Sequence, residues 1–135
     1  MGGVNLSDAF LRYRVKSSSR ARSALAADGN LVLSCHYGGF KRAAPGILRY
    51  EEDLSGSEGA TASLLRTHLA QALANESDVR LIIATPVRRP PALDPHEPPQ
   101  ADRMSFSTRE DLVGRVTSFD GSRFVVEFRK ITAAA

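Results

Sequence analysis

Residues 59–86 read GATASLLRTHLAQALANESDVRLIIATP, and this stretch decides the fold. Its first part predicts an amphipathic helix. Leu65, Leu69, Ala72 and Leu73 recur at helical spacing and Leu64 widens the stripe, while Arg66, Thr67, Gln71 and Asn75 fall toward the other side. Ala and Leu favour helix, and neither Pro nor Gly interrupts residues 60–78. Thr61 or Ser63 offers a hydroxyl to the free N–H groups at the start. The polar run Asn75-Glu76-Ser77-Asp78 suits a stop. Residues 79–85 then form a short, nearly continuous apolar run. Both faces of such a strand require burial, which predicts a central strand with the helix lying across it. Pro86 is expected to end the strand, because proline cannot donate to a ladder.

On the N-terminal side, Leu6-Ser7-Asp8-Ala9-Phe10-Leu11 reads as a short helix running to Tyr13. Ser7 is the expected cap, Leu6 can staple onto Leu11, and Phe10 and Leu11 are expected to dock on the core. Two strands, residues 20–27 and 31–40, flank the hairpin signal Asp28-Gly29-Asn30. Leu31, Leu33, Cys35 and Tyr37 share one face of the second strand; Val32, Ser34 and His36 share the other. Cys35 is thus expected to point inward and His36 outward. Pro45-Gly46 makes a turn, and residues 47–51 form a third strand, followed by the acidic cluster Glu51-Glu52-Asp53.

Beyond Pro86 the composition changes. Six of the seven prolines lie between Pro86 and Pro99, which predicts a long extended or mobile excursion over 86–103. Residues 111–119 and 123–131 form the clearest hairpin, around Asp120-Gly121-Ser122. A two-residue turn there would put Arg115, not Val116, on the face of Phe124, Val126 and Phe128. A bulge in the turn or near Gly114 is therefore expected.

The whole reads as a single α+β domain over residues 1–135. It predicts a strongly bent, mostly antiparallel sheet of about six strands, with a partly closed barrel as one form, packed on one main helix plus the short N-terminal one. This element order resembles that of small modified-base readers of the PUA and EVE type, at the level of fold alone.

The chain has 135 residues and one cysteine, so no intrachain disulfide can form. That favours a reducing compartment, and the expected location is cytoplasmic. No run approaches a membrane span, so no membrane partner is expected. The formal charge of +3 hides an asymmetry: residues 1–50 hold eight basic and two acidic side chains, residues 51–135 ten basic and thirteen acidic. From Arg12 to Arg22 there are five basic residues and no acid.

Catalytic signals are weak. His36, His68 and His96 lack metal spacing, and Cys35 on an apolar strand face reads as a small core residue rather than a nucleophile with His68 as its base. Gly56-Ser57-Glu58-Gly59 precedes a helix but lacks the Lys of a phosphate loop, and Glu58 would repel an anion. No cofactor is expected. The leading expectation is a small non-enzymatic nucleic-acid-binding domain, taking DNA or RNA. It would use Arg12, Arg14, Lys16, Arg20, Arg22, Lys41 and Arg42, with Tyr37, Tyr13 or Phe40 available to stack on a base. The alternative is a protein-interaction module, an adaptor or inhibitor, that presents the proline-rich loop or a sheet edge.

Overall fold

The computed structural model describes residues 5–16, 21–87 and 103–131. Apart from its ends, the proline-rich stretch expected at 86–103 lies outside these residues, as do Arg20 and His96.

The architecture is α+β, with an eight-stranded, mixed and mostly antiparallel sheet. Helix α1 spans Leu6–Arg12. Strands β1 (Ser23–Leu25) and β2 (Leu31–His36) form the expected hairpin, with Ser23 paired to Leu33 and Leu25 to Leu31. The Asp28 carboxylate steadies the turn by accepting from the Asn30 backbone N–H at 3.0 Å. A single 3-10 turn, Tyr37–Gly39, then leads into β3 (Phe40–Ala44) and β4 (Ile47–Asp53). The strand expected over 31–40 is therefore two strands. Gly39 allows the break: a Cβ there would lie 2.5 Å from the Tyr50 ring, so only glycine lets the turn close onto β4.

Helix α2 (Ala60–Asn75) and β5 (Val79–Val87) carry out the reading of 59–86 in outline. β5 is central: β2 runs parallel to it along one edge, while β6 (Arg103–Thr108) and β7 (Leu112–Phe119) share the other. Strand order runs β1-β2-β5-β7-β8-β4-β3, with β8 spanning Arg123–Lys130 and β6 off this path beside β5. Pro86 does not end β5 but pairs with Met104 of β6. The β2 ladder stops at Ala84, so at Pro86 only one edge of the strand has a neighbour, and the missing N–H is tolerated.

Period-two alternation divides the sheet into two faces. Leu31, Leu33, Cys35, Val79 and Leu81 join Leu65, Leu69 and Ala72 of α2 with Phe124, Val126 and Phe128 in the main core. Val32 and Ile82, from the opposite face of the same strands, join Leu6, Ala9, Phe10 and Val15 under α1. Helices pack on both faces of the sheet, α1 on one and α2 on the other, and α2, touching both β1 and β7, lies across β2 and β5 between them.

Local readings fared unevenly. Leu64 and Leu73 are exposed, and the buried stripe of α2 runs Ala62, Leu65, His68, Leu69, Ala72. Gly59, not Thr61 or Ser63, takes the cap position, without a side-chain hydrogen bond. In α1 the cap is Asn5, whose Oδ1 accepts from Asp8 N at 2.8 Å, rather than Ser7. Phe10 is fully buried while Leu11 is half exposed.

A bulge is present, at Thr117 rather than in the turn or at Gly114. Val116 pairs with Val126 and Ser118 with Val125, which turns Val116 into the core and Arg115 outward. Gly114 opposes Phe128, where a Cβ would meet the ring at 2.6 Å.

The ladder does not close into a barrel among the described residues. Its ends nevertheless approach through side chains. Arg22, just before β1, donates from two nitrogens to Glu52 of β4 at 2.7 and 2.9 Å, and to Ser34 O at 2.7 Å. The Tyr50 hydroxyl donates to the same carboxylate and accepts from His36 N at 3.1 Å. Among the described residues, no helix is long and apolar enough to cross a membrane.

Candidate functional site

The end of α1 builds a cationic cleft. Arg12 is the last helical residue and Tyr13 the C-cap. Arg14 adopts φ +63°, the left-handed conformation that closes many helices, with its N–H on Leu11 O at 2.9 Å. That reversal returns Val15 N to Phe10 O at 3.1 Å and buries Val15, leaving Arg12 and Arg14 pointing to solvent. Tyr13 crosses the sheet face and donates to Leu81 O at 2.7 Å. Arg80 of β5 lies over the Tyr13 ring, 5.2 Å from its centroid, and donates to Glu110 O at 2.9 Å.

The β1–β2 hairpin supplies the facing wall. Ala26, Asp28, Asn30 and Val32, with Arg12, Tyr13, Arg14 and Arg80, enclose about 270 Å³. Three guanidinium groups thus face one carboxylate, Asp28, whose oxygens are engaged by Asn30. Arg12 and Arg14 have no ion-pair partner among the described residues. Burial pushes the Tyr13 hydroxyl up to about 12 against the lowering effect of Arg80, so at neutral pH it remains a donor and holds the ring in place.

The other residues singled out from sequence are dispersed. Lys16 is exposed just past Val15. Arg22 is three-quarters or more withdrawn from solvent and spent on Glu52. Burial alone would raise the Glu52 carboxyl, but hydrogen bonds from Arg22 and Tyr50, with the Arg22 charge, outweigh it and hold Glu52 below its ordinary value. Lys41 lies 3.6 Å from Glu51. Arg42 lines a different cleft, with Arg109 and Lys130. Tyr37 is exposed on its 3-10 turn, whereas Phe40 packs against Tyr50 with ring centroids 4.9 Å apart, so it is not available to stack.

The sequence reading missed Arg80 as a site residue. Its one signal was a charge set inside an otherwise apolar strand, Val79-Arg80-Leu81, at a position that must face away from the main core.

Nucleophilic chemistry finds little support in the geometry. The His68 ring is engaged by another partner: its Nδ1 is 2.8 Å from Ser23 Oγ, both residues are buried where α2 packs on β1, and burial lowers the His68 pKa. Cys35 is fully buried, and that burial pushes its thiol up, away from the reactive thiolate. Among the described residues, no group of three or more His, Cys, Asp or Glu side chains is placed to hold a metal ion.

In comparisons with known proteins, no family model, no curated protein and no solved structure matches the chain.

Proposed function

We propose that the protein binds nucleic acid through the cleft of Arg12, Arg14 and Arg80. One observation carries the reading. Four arginines elsewhere on this surface find carboxylates, Arg49 with Glu127, Arg109 with Asp111, Arg115 with Asp78 and Arg123 with Glu51. Arg42, Arg66 and Arg129 are unpaired among the described residues but are not gathered with other unpaired arginines at one cleft. Arg12 and Arg14 likewise find no carboxylate among the described residues, yet they flank a concave surface whose third cation is fixed on Tyr13. Unneutralised guanidinium groups around a cleft attract phosphate by charge and by planar hydrogen bonding, and counterion release adds to the affinity. The protein positions a phosphate backbone in this way without reading sequence.

The test is fluorescence anisotropy with labelled mixed-sequence DNA and RNA, titrated across ionic strength. Wild type binds in a salt-dependent manner. The double reversal Arg12→Glu/Arg14→Glu weakens binding to all sequences alike and reduces the slope of log K against log salt by roughly 2. Wild-type protein without salt-sensitive affinity for either polymer at low ionic strength would refute the reading.

A further inference from the structure

We infer that the recess between the β3–β4 turn and the end of β8 binds a small hydrophobic carboxylate, an anion with an aryl or short alkyl body, independently of the cleft around Tyr13. The two places lie on opposite faces of the sheet. Val32 and Arg80 of the first belong to the α1 face, whereas Leu48, Leu112 and Phe128 of the second belong to the main-core face.

The pairing register builds the recess. Arg42 stands opposite Leu48, and Leu48 opposite Phe128, so the three share one row across β3, β4 and β8. Lys130, two residues beyond Phe128, points to the same face and pairs with Leu112. Extending the β4–β8 register by one residue brings Gly46 of the turn toward Lys130. Gly46 has φ +80°, and nothing lies within 4 Å of where its Cβ would be, so no side chain fills the gap. A recess of about 240 Å³ remains.

Its floor is apolar. Phe128 and Leu112 are buried, Ile47 and Leu48 half-buried, and besides the cations the described lining carries no polar side chain. A nucleobase laid there would leave its hydrogen-bonding edges without side-chain partners, a cost that a hydrocarbon body does not bear. An apolar cavity of about 150 Å³ takes up benzene, so this larger recess has room for a ring together with its carboxylate.

The rim supplies the charge. Arg42 and Lys130 are exposed, and neither has an ion-pair partner among the described residues. Arg109 is committed to Asp111 at 2.9 and 2.8 Å. Those hydrogen bonds, with the nearby Lys130 charge, pull the Asp111 carboxyl down to about 2, so this acid beside the rim is already neutralised. A guanidinium fork matches a carboxylate in its plane, and the Lys130 ammonium adds a second charge.

The experiment is two-dimensional amide NMR of the full chain, titrated with acetate, butyrate, hexanoate, phenylacetate and uncharged phenylacetamide. Phenylacetate shifts the amides of residues 46–48, Leu112 and Lys130 and leaves those of Arg12 and Arg14 in place. Affinity rises by about fourfold per methylene from acetate to hexanoate. Phenylacetamide binds about tenfold or more weakly than phenylacetate. Arg42→Gln/Lys130→Gln loses that same factor for phenylacetate and nothing for the amide, and it melts like wild type because both side chains are exposed. Acetate bound as tightly as hexanoate would make the recess a bare anion site and overturn the inference. So would shifts centred on Arg12 and Arg14, the absence of shifts with every carboxylate, or a double variant that binds phenylacetate as wild type does.

Discussion

Arg14 and Arg22 belong to one basic run in the sequence, yet they occupy opposite situations. Arg22 sits where the two ends of the sheet approach, under α2, with every nitrogen contact directed to Glu52 or Ser34. Arg14 sits beyond α1, in a left-handed backbone conformation, with no ion-pair partner among the described residues. One closes the fold; the other stands at the mouth of a cleft. A dense basic run is therefore not one functional unit. Burial and the proximity of a carboxylate decide which cation is structural.

The contrast can be tested from its closed side first. Leu69 is fully buried between α2 and the sheet, so Leu69→Ala should cost about 2–5 kcal/mol in denaturant melts. Such a variant, still folded at low temperature, should retain oligonucleotide binding. A loss below about 1 kcal/mol would show that α2 does not close that face.

Arg22→Ala should cost about 2–3 kcal/mol, since it leaves the half-buried Glu52 carboxylate short of its cationic partner. The pH dependence has a definite sign. Glu52 is held below its ordinary value of 4.5, so its contribution is present above that pH and is lost as pH falls through the lower folded value. Acid melts of wild type should show that loss below 4.5, and Arg22→Ala should show less of it, since only the Tyr50 hydrogen bond then holds the carboxyl down. Oligonucleotide affinity that fell with Arg22→Ala at unchanged folding would erase the distinction between the two arginines.

On the open side the effects shrink. Tyr13→Phe removes one hydrogen bond to Leu81 O and should cost about 1 kcal/mol. Tyr13 is raised from 10.0 to about 12, so its contribution is complete below 10 and is lost as pH rises through the folded value. The variant should lose that part of the alkaline destabilisation and the matching tyrosinate absorbance step.

Arg14→Gly should change stability least and in the favourable direction, by up to about 1 kcal/mol, because glycine accepts φ +63° without steric cost. Its binding should nonetheless weaken. Greater stability with poorer binding would sharpen the contrast, showing that the backbone there carries strain in the service of the cleft.

Much of the local structure was legible because its signals are local. Asp28-Gly29-Asn30 announces a hairpin, and the run of 79–85 announces a strand buried on both faces. The bulge in β7 followed from one conflict, since only an extra residue could seat Val116 beside Phe124 and Phe128 and keep Arg115 in water. The break at Tyr37–Gly39 was half legible: Gly38-Gly39 announces a kink or a close approach, but the Tyr50 ring that comes close arrives from another strand. The candidate site was half legible. Arg12 and Arg14 stood out as charges, but Arg80 belongs to a strand distant in sequence and meets them only in the fold.

By itself the sequence determined the α+β class, the helix and central strand of 59–86, the two clear hairpins and, of an expected core of Leu65, Leu69, Leu81, Ile83, Phe124 and Val126, all but Ile83, which is only partly buried, because periodicity and turn chemistry act between near neighbours. Tertiary structure alone decided the strand order, the placing of α1 and α2 on opposite faces, and the sorting of cations into paired and free. Those outcomes depend on which distant groups come within a few ångströms of one another. Short-range patterns carry no record of that distance, and both the Coulomb attraction that binds Arg22 to Glu52 and its absence at Arg14 follow from it.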